Sequence, residues 1–323
     1  MNYTKRTKVS VLLAVRNGEE FMASSINSVL SQDFKDFELL ISDDNSTDQT
    51  INVIKKFNDE RIKLYQQKKS LGQFGNFNFL LSHAEGEIVH FWSHDDIMYP
   101  NCLSSIVNFH FENSNLGMSY CSGNYIDERG IVIQEWKFDG TPRLLDKNLY
   151  AKYSLTYGCL AASISQVSLN RKNIGNDYYF NESYLLAGDF ELWTRVAEKF
   201  TIGFLSKELV SIRNHPSQVS NKTSSNFASV LEGIPITNSL MNYVNVSLRA
   251  KQKIKREVIL IHYFQRVMVL CVRKEFKLFI SGIKLLSKED NLFILFLTWF
   301  RFRLRTKDQF FKHRQKITSI LFH

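Results

Sequence analysis

EIVHFWSHDD, residues 87–96, is the stretch that decides the fold, because a run of β-forming residues ends there in two adjacent carboxylates. Residues 87–91 combine β-branched and aromatic side chains, which predicts a short buried strand. Asp95 and Asp96 then follow at the carboxyl end of that strand. In an open α/β sheet, ligands bind outside the carboxyl ends of the strands. The acidic pair therefore predicts a binding site at this edge.

The residues before this stretch alternate between strand and helix patterns. Strands are predicted at residues 9–15, 37–42 and 62–65, and helices at residues 19–30, 49–57 and 74–84. This alternation predicts an α/β fold with a mainly parallel, doubly wound sheet. The sequence contains neither GxGxxG after the first strand nor GxxxxGK[ST], so the two commonest phosphate-binding loops are absent.

The net charge of +9 is concentrated in the C-terminal region. Residues 1–245 carry 23 Lys and Arg against 27 Asp and Glu, whereas residues 246–323 carry 18 against 5. This basic region alternates with apolar runs at residues 257–272 and 292–300, both shorter than the roughly 20 residues of a spanning helix. The pattern favours peripheral contact with an anionic membrane over nucleic-acid binding. Solvated helix faces, or packing on the preceding domain, are the alternatives.

The cysteines and the N-terminus indicate a cytoplasmic protein. The four cysteines stand far apart and lack the spacing of metal ligands, which predicts reduced thiols and no structural zinc. The apolar run at residues 9–15 ends at Arg16 without a small-residue cleavage site, so no signal peptide is predicted.

An acidic pair without a glycine-rich phosphate loop suggests a divalent cation. Mg²⁺ and Mn²⁺ bind carboxylate oxygens and substrate phosphates together, and so could hold a charged ligand at the strand end. The alternative is that Asp95 and Asp96 cap a helix that starts near residue 100.

Four motifs, in this order along the chain, resemble those of the family 2 glycosyltransferases. They are VSVLLAVRNGEEFMASSINSVLSQDFKDFELLISDDNSTDQT (9–50), AEGEIVHFWSHDDIMYP (84–100), AGDFELWTR (187–195) and IRNHPSQVS (212–220). The resemblance implies a GT-A fold, a mostly parallel mixed sheet flanked by helices, that binds a nucleotide-diphosphate sugar with Mg²⁺ or Mn²⁺. It implies a catalytic domain at residues 1–220, and the change of pattern beyond predicts a basic, apolar helical region at residues 221–323.

The resemblance also implies which residues bind the donor. Asp44 would accept the uracil N3–H, with Asp43 fixing the loop beside it, although residues 43–48 could equally cap the next helix. Asn76 would lie near the sugar or ribose, with Asn78 as a competing alignment. The full implied set is Ala14, Arg16, Asn17, Asp43, Asp44, Asn76, Asp95, Arg213 and His215.

The metal motif departs from the family pattern, because Ser93 stands where its first aspartate is expected. A hydroxyl is a poorer ligand than a carboxylate for a hard cation. The implied ligands are therefore Asp96 first and Asp95 second, with Asp95 also facing the ribose or sugar. A metal-independent variant stays open, and His94 is predicted to be structural rather than a ligand.

Asp189 is the residue that the resemblance implies as the catalytic base, which takes the proton of the acceptor hydroxyl. Gly188 replaces the glutamate that the family places before it, and helix N-capping by Asp189 is the alternative role. Arg213 and His215 lie in a segment that approaches the diphosphate in relatives, where they would stabilise the departing nucleoside diphosphate.

The resulting prediction is an inverting glycosyltransferase at the inner face of the cytoplasmic membrane. It would move a sugar from a UDP-sugar to a hydroxyl of a saccharide or polyprenyl-linked saccharide in O-antigen or capsule assembly. One alternative is a metal-dependent nucleotidyltransferase, which would be expected to carry a glycine-rich, basic loop after the first strand. The other is a catalytically inactive sugar-nucleotide-binding protein, which Ser93 and Gly188 leave open.

Overall fold

The computed structural model describes residues 8–135, 140–215, 225–304 and 307–322. The chain divides into two compact units, one formed by Met1–Asp146 with Ala161–Pro216 and the other by Lys147–Leu160 with Ser217–His323. The domain division predicted between residues 220 and 221 lies outside the described residues and stays a prediction.

Strands and helices alternate through the first unit, as predicted. Its strands are β1 (Val9–Val15), β2 (Phe37–Asp43), β3 (Ile62–Gln66), β4 (Ile88–Ser93), β5 (Ile97–Met98), β6 (Leu116–Ile126), β7 (Val132–Gln134), β8 (Leu144–Leu145), β9 (Val167–Asn170) and β10 (Thr201–Arg213). Its helices are α1 (Met22–Leu30), α2 (Thr50–Ile54), α3 (Gly72–His83), α4 (Cys102–Glu112), α6 (Arg171–Ile174) and α7 (Gly188–Lys199), with a 3₁₀ helix at Ile164–Gln166.

The strands form one sheet in the order β3-β2-β1-β4-β9-β6-β10-β5, with β7 beside β6 and β8 beside β10. β1 to β4 pair in parallel, as the alternation predicts, because each crossover carries a helix. β9 runs antiparallel between β4 and β6, so the sheet as a whole is mixed. The predicted α/β class is confirmed.

The core lies against β1 and β2, whose side chains are nearly all buried on both faces. Such strands read as continuous apolar runs because helices cover both sides of a parallel sheet. Helix α1 begins at Met22, three residues later than predicted. Glu19 explains the difference, since its carboxylate accepts the Gln49 N–H at 2.7 Å and its own N–H donates to Asp48 Oδ2 at 3.2 Å. Glu19 therefore belongs to the turn after β1 and ties that turn to the loop after β2.

Two histidines are buried in this unit, one on a strand and one on a helix. His90 on β4 shares a hydrogen bond with Ser168 at 2.9 Å, and His110 on α4 shares one with Ser119 at 2.8 Å. Burial lowers the pKa of His90 to about 3 and that of His110 to about 4. Both imidazoles are therefore neutral in the folded protein at pH 7.

The second unit is helical. Its elements are α5 (Lys147–Tyr157), α8 (Ser225–Tyr243), α9 (Leu248–Ile254), a π-helical segment (Lys255–Leu260), α10 (Ile261–Val272), α11 (Phe276–Leu286), α12 (Leu292–Arg303) and α13 (Lys307–Ser319). Its apolar core includes Val230, Ile234, Phe264, Val267, Leu286 and Leu295. Within the described ranges, no helix combines the length and apolar character needed to cross a bilayer.

We expect the buried histidines to make the fold sensitive to acid. Unfolded histidine accepts a proton near pH 6.5, so the unfolded chain binds more protons than the folded one between about pH 6.5 and 4. Stability contributed by His90 and His110 is therefore lost as the pH falls through that window. His110→Gln should lose about 1 kcal/mol less stability per pH unit than the parent protein between about pH 6 and 4.5.

Urea unfolding at a series of pH values measures this difference. His83→Gln is the matched control, because it makes the same substitution at an exposed histidine. A curve for His110→Gln that runs parallel to that of the parent protein would contradict the assignment of a neutral buried imidazole.

Candidate active site

The register of three parallel strands brings the acidic motifs to one edge of the sheet. Ala14, near the end of β1, pairs with Ser42 of β2 on one side and with Ser93 of β4 on the other. Asp43 and Asp44 follow Ser42, and Asp95 and Asp96 follow Ser93. The two carboxylate pairs therefore flank the turn that follows β1, at the edge predicted for ligand binding.

The turn after β1 is fixed against the loop after β2. Asn17 has a left-handed φ of 53°. Its N–H donates to Ser46 Oγ at 2.8 Å, and its Oδ1 accepts the Thr47 N–H at 2.9 Å. Arg16 is exposed at this edge and donates to Ser70 Oγ at 3.1 Å. Ala14, Arg16 and Asn17, which the resemblance implies as donor-binding residues, thus lie together beside the two acidic pairs.

Asp44 holds the loop before α3. Its buried carboxylate accepts hydrogen bonds from Ser70 Oγ at 2.7 Å, from the Leu71 N–H at 2.5 Å and from the Gly72 N–H at 3.2 Å. A carboxylate offers about four acceptor positions, so about one more donor could bind. The contact of Asp44 with a uracil N3–H stays a prediction. If it forms, the uracil and the loop from Ser70 to Gly72 both donate hydrogen bonds to the same carboxylate.

Two buried acceptors near the end of β2 have no hydrogen-bond partner among the described residues. They are Oδ1 of Asp43 and Oδ1 of Asn76. The other atoms of these side chains are engaged, since Asp43 Oδ2 accepts the Ser46 N–H at 3.0 Å and Asn76 Nδ2 donates to the Ser42 carbonyl at 2.9 Å. An unsatisfied buried acceptor is costly, which favours donation from a ligand here.

The structure distinguishes the two asparagines that competed in the sequence. Asn78 bonds to the Phe180 carbonyl at 2.9 Å, to the Phe180 N–H at 2.8 Å and to Glu182 at 2.8 Å. Asn76, in contrast, reaches the end of β2 beside Asp43. The contacts therefore favour Asn76 for donor binding, while that role itself remains a prediction.

Asp95 faces His215, with 3.0 Å between Asp95 Oδ2 and His215 Nε2. The hydroxyl of Ser93 donates to the other oxygen, Oδ1. Although burial opposes it, the nearby His94 and these hydrogen bonds lower the pKa of Asp95. Ser93 thus orients the carboxylate that follows it in the motif. His94 packs against Gly18, where a Cβ would come within 2.5 Å of the imidazole, and burial lowers its pKa.

Asp96 connects β4 to two other elements. Its Oδ1 accepts the Arg213 N–H at 2.9 Å, and its Oδ2 accepts from Ser163 Oγ at 3.3 Å. Burial and the adjacent charge of Asp95 raise the pKa of Asp96 to about 7. The surroundings of Asp95 and Asp96 therefore do not fully stabilise two negative charges at once.

The residues at this edge fit a divalent cation. A carboxylate and an imidazole lie 3.0 Å apart at Asp95 and His215, and both are ligand types that Mn²⁺ accepts. A second carboxylate, Asp96, lies beside them with a raised pKa that a cation would lower. The described residues contain no group of three or more His, Cys, Asp or Glu side chains poised to ligate a metal. Donor phosphates and water would therefore complete the coordination.

Arg213 is buried at the end of β10 and makes contacts that sequence reasoning did not predict. Its Nε donates to the Asp95 carbonyl at 2.8 Å, and its Nη1 donates to the carbonyls of Asp127 and Glu128 at 2.8 and 2.9 Å. The guanidinium also lies 4.5 Å from the centre of the Phe21 ring. These contacts favour a role in positioning the metal motif, and a contact with the diphosphate stays a prediction.

Asp189 lies in the first turn of α7, which begins at Gly188. The helix N-cap is Ala187, so the predicted alternative of N-capping by Asp189 is wrong. Gly188 is required by close packing, because a Cβ there would lie 2.6 Å from the Phe74 ring in the first turn of α3. The Phe74 ring therefore occupies the volume that a side chain at residue 188 would fill. This contact packs the start of α7 beside the loop that Asp44 binds.

Several residues that shape the site were not identified from the sequence. Ser25 accepts from Trp92 Nε1 at 2.8 Å and donates to the Ser93 carbonyl at 3.1 Å, and Ser165 accepts the Ser93 N–H at 3.0 Å. Ser163 forms a capping box with Gln166, and that S-x-x-Q pattern was a sequence signal for a helix start beside Asp96.

Comparisons with known proteins agree with this architecture. The sequence pattern of Glycosyl transferase family 2 matches residues 10–167. An uncharacterised glycosyltransferase of Rickettsia typhi is 28% identical over 218 residues, which are 66% of either chain. The chain thus spans about two thirds of the length of that relative. WfgD of Escherichia coli, a UDP-Glc:alpha-D-GlcNAc-diphosphoundecaprenol beta-1,3-glucosyltransferase, is 28% identical over 214 residues, covering 66% of this chain and 78% of WfgD.

Among solved structures, residues 1–349 of S. aureus TarS in complex with UDP-GlcNAc superpose with a TM-score of 0.63. The identity is 22%, and the match covers 85% of this chain and 79% of that one. This likeness and the mixed sheet with acidic strand ends show that the first unit has the GT-A fold. Residues 10–167 match glycosyltransferase family 2, and the curated relatives that align over about two thirds of the chain are glycosyltransferases. The predicted family, fold and enzyme class are confirmed.

We expect Arg213→Lys to destabilise the protein by about 2–4 kcal/mol, because lysine cannot reproduce three hydrogen bonds to separate carbonyls from a buried guanidinium. Urea unfolding measures the loss. If Arg213 positions the metal motif and does not bind the diphosphate, the folded variant should bind UDP with a dissociation constant within about threefold of that of the parent protein. Calorimetry measures this constant, and a tenfold change would correspond to about 1.4 kcal/mol.

Arg143→Lys is the control, since Arg143 forms an exposed ion pair with Glu112. It should change stability by less than about 1 kcal/mol. A tenfold or larger loss of UDP affinity in Arg213→Lys, with unchanged stability, would instead establish a direct role in donor binding.

Proposed function

We propose that the protein transfers a sugar, with inversion, from a UDP-sugar to a hydroxyl group of a saccharide acceptor. The observation that carries this proposal is the strand register that places Asp43, Asp44, Asp95 and Asp96 around the turn after β1. A nucleotide sugar needs acceptors for its base and ribose, and compensation for its diphosphate. The unpartnered oxygens of Asp43 and Asn76 would supply the first, and a cation held at Asp95 would supply the second.

Asp95 and His215 would hold Mg²⁺ or Mn²⁺, with Asp96 as the further carboxylate. The 3.0 Å approach of Asp95 to His215 supports this order, whereas both Asp96 oxygens accept hydrogen bonds from Arg213 and Ser163. The cation would neutralise charge on the diphosphate as it leaves. The side chains of Ser93 and Arg213 would keep Asp95 aimed at that position.

Asp189 would act as the base that receives the proton of the acceptor hydroxyl. Its position in the first turn of α7 supports this role, because the helix dipole favours a carboxylate that is charged and able to accept a proton. Gly188 offers no side chain, so Asp189 would act without a neighbouring glutamate.

The acceptor is proposed to be a lipid-linked saccharide of a surface polysaccharide such as O-antigen or capsule. The likeness to WfgD supports this class, since that enzyme acts on a saccharide carried by diphosphoundecaprenol. Such an acceptor is presented at a membrane, and the basic C-terminal region supports peripheral contact at the cytoplasmic face.

The metal proposal predicts a selective effect of Asp95→Asn. Calorimetric titration of UDP with and without Mn²⁺ should show that Mn²⁺ strengthens binding to the parent protein. In Asp95→Asn, the increase in UDP affinity caused by Mn²⁺ should be at least about tenfold smaller, because a neutral amide is a weaker ligand for a hard cation. A lower UDP affinity of Asp95→Asn than of the parent protein in the absence of Mn²⁺ would report a separate loss of a ribose contact.

Asp33→Asn, at an exposed carboxylate, is the control and should retain the full gain. If Asp96→Asn removes the gain and Asp95→Asn keeps it, Asp96 is the principal ligand, as the sequence resemblance implies, and the assignment to Asp95 is wrong.

The base proposal predicts that Asp189→Asn lowers the rate of sugar transfer by about 10²- to 10⁴-fold, because the amide cannot accept the hydroxyl proton. UDP affinity should be unchanged. Transfer to a lipid-linked acceptor, measured by product mass, gives the rate, and the exposed Asp177→Asn is the control. Full transfer by Asp189→Asn would show that another group is the base.

A further inference from the structure

Helix α12 is apolar on two opposite sides. One side packs in the core of its unit, through Leu295 and through the partly buried Leu292, Trp299 and Phe302. A second set, between 41% and 69% exposed, follows the i, i+3, i+4, i+7 spacing of a helix face: Phe293, Ile294, Phe296, Leu297 and Phe300. The second set therefore forms a grouped apolar surface on α12 that is largely left outside the core.

The neighbouring helix repeats this pattern on a smaller scale. In α11, Leu286 is buried and Phe279 and Ile283 pack against the same core, while Phe276 and Ile280 are 56% and 64% exposed. Single exposed apolar residues are common on proteins, but a grouped set marks an interaction surface. We call the five exposed apolar side chains of α12 the outer face.

Positive charge surrounds this part of the chain. Residues 272–304 contain seven Lys and Arg against three Asp and Glu. Two of the three acids are already paired, Glu289 with Lys255 at 2.6 Å and Asp290 with Arg256 at 2.5 Å. Arg301 and Arg303 follow the outer face, and Arg303 lies 5.6 Å from the Trp299 ring. The partner of the outer face is therefore expected to be apolar at its centre and anionic at its rim.

An anionic bilayer surface has both properties. At about 1.5 Å per residue, the 12 residues of α12 extend about 18 Å, too short to cross the roughly 30 Å hydrocarbon layer. A helix of this kind can lie in the plane of the interface, with apolar side chains among the acyl chains and arginines among the headgroups. A second copy of this chain fits less well, because a symmetric contact would bring two basic rims together.

We propose that α12 lies flat in the interface of an anionic bilayer and inserts its outer face below the headgroups. The proposal rests on the proposed function only for its biological purpose, which is to hold the enzyme where a lipid-linked acceptor is presented. The contact itself depends on the outer face and its arginines and requires no turnover.

Flotation of the full-length protein with vesicles of phosphatidylethanolamine and phosphatidylglycerol tests the contact. The parent protein should bind, and binding should weaken when phosphatidylglycerol is omitted or salt is raised. The triple substitution Phe293→Ser, Leu297→Ser and Phe300→Ser should lower the partition coefficient at least about 100-fold, since each residue loses a large apolar side chain from the acyl region. Arg301→Gln should lower it about fivefold.

Leu248→Ser is the matched control, because Leu248 is 78% exposed on α9 and lies outside α12. It should bind vesicles like the parent protein, and the thermal midpoint of the triple variant should show that it is folded. Unchanged vesicle binding by the folded triple variant would overturn the proposal. A lipid-free dimer of the parent protein that the triple substitution dissociates, with vesicle binding intact, would assign the outer face to a second copy.

Donor hydrolysis without vesicles separates this proposal from the proposed function. The triple variant should hydrolyse a UDP-sugar at the rate of the parent protein. Vesicle binding by a protein that turns over no donor would count against glycosyl transfer and leave the membrane contact in place.

Discussion

The site depends on the parallel pairing of β1 between β2 and β4. That register sets Ala14 opposite Ser42 and Ser93, and it determines which residues leave the sheet together. A shift of one residue would turn alternate side chains to the other face and separate the two acidic pairs. The buried aliphatic residues of β1 and β2 hold the register, so the apolar core and the polar edge are set by the same pairing.

Buried hydrogen bonds then convert strand ends into a site. Ser93 and His215 bond to the carboxylate of Asp95, while Arg213 bonds to its carbonyl and to the turn between β6 and β7. Asp96 completes the link to β10 through the Arg213 N–H. Removing one member would leave buried polar groups unsatisfied, which is why such networks are rigid when complete. The raised pKa of Asp96 indicates that the network still favours an added positive charge.

The sequence was sufficient for strands β1 to β4 and for the motifs, because periodicity and local residue types carry those signals. It predicted that Asp95 and Asp96 lie at the carboxyl edge of the sheet, and the register places them there with Asp43 and Asp44 on the other side of β1. The roles implied for individual donor residues, and for Asp189 as base, remain predictions. The contacts of Arg213 could not be predicted, because its partners are backbone carbonyls far along the chain. The packing of Phe74 against Gly188 is likewise a tertiary contact without a local signal.

The most direct measurement is hydrolysis of a panel of nucleotide sugars by the full-length protein, with and without Mn²⁺. Turnover of at least one UDP-sugar, stimulated by Mn²⁺ and removed by a chelator, is the result expected if the carboxyl edge of β1, β2 and β4 is a metal-assisted donor site. No turnover of any donor under either condition, while UDP still binds, would contradict catalysis at this edge and favour a sugar-nucleotide-binding protein without transferase activity.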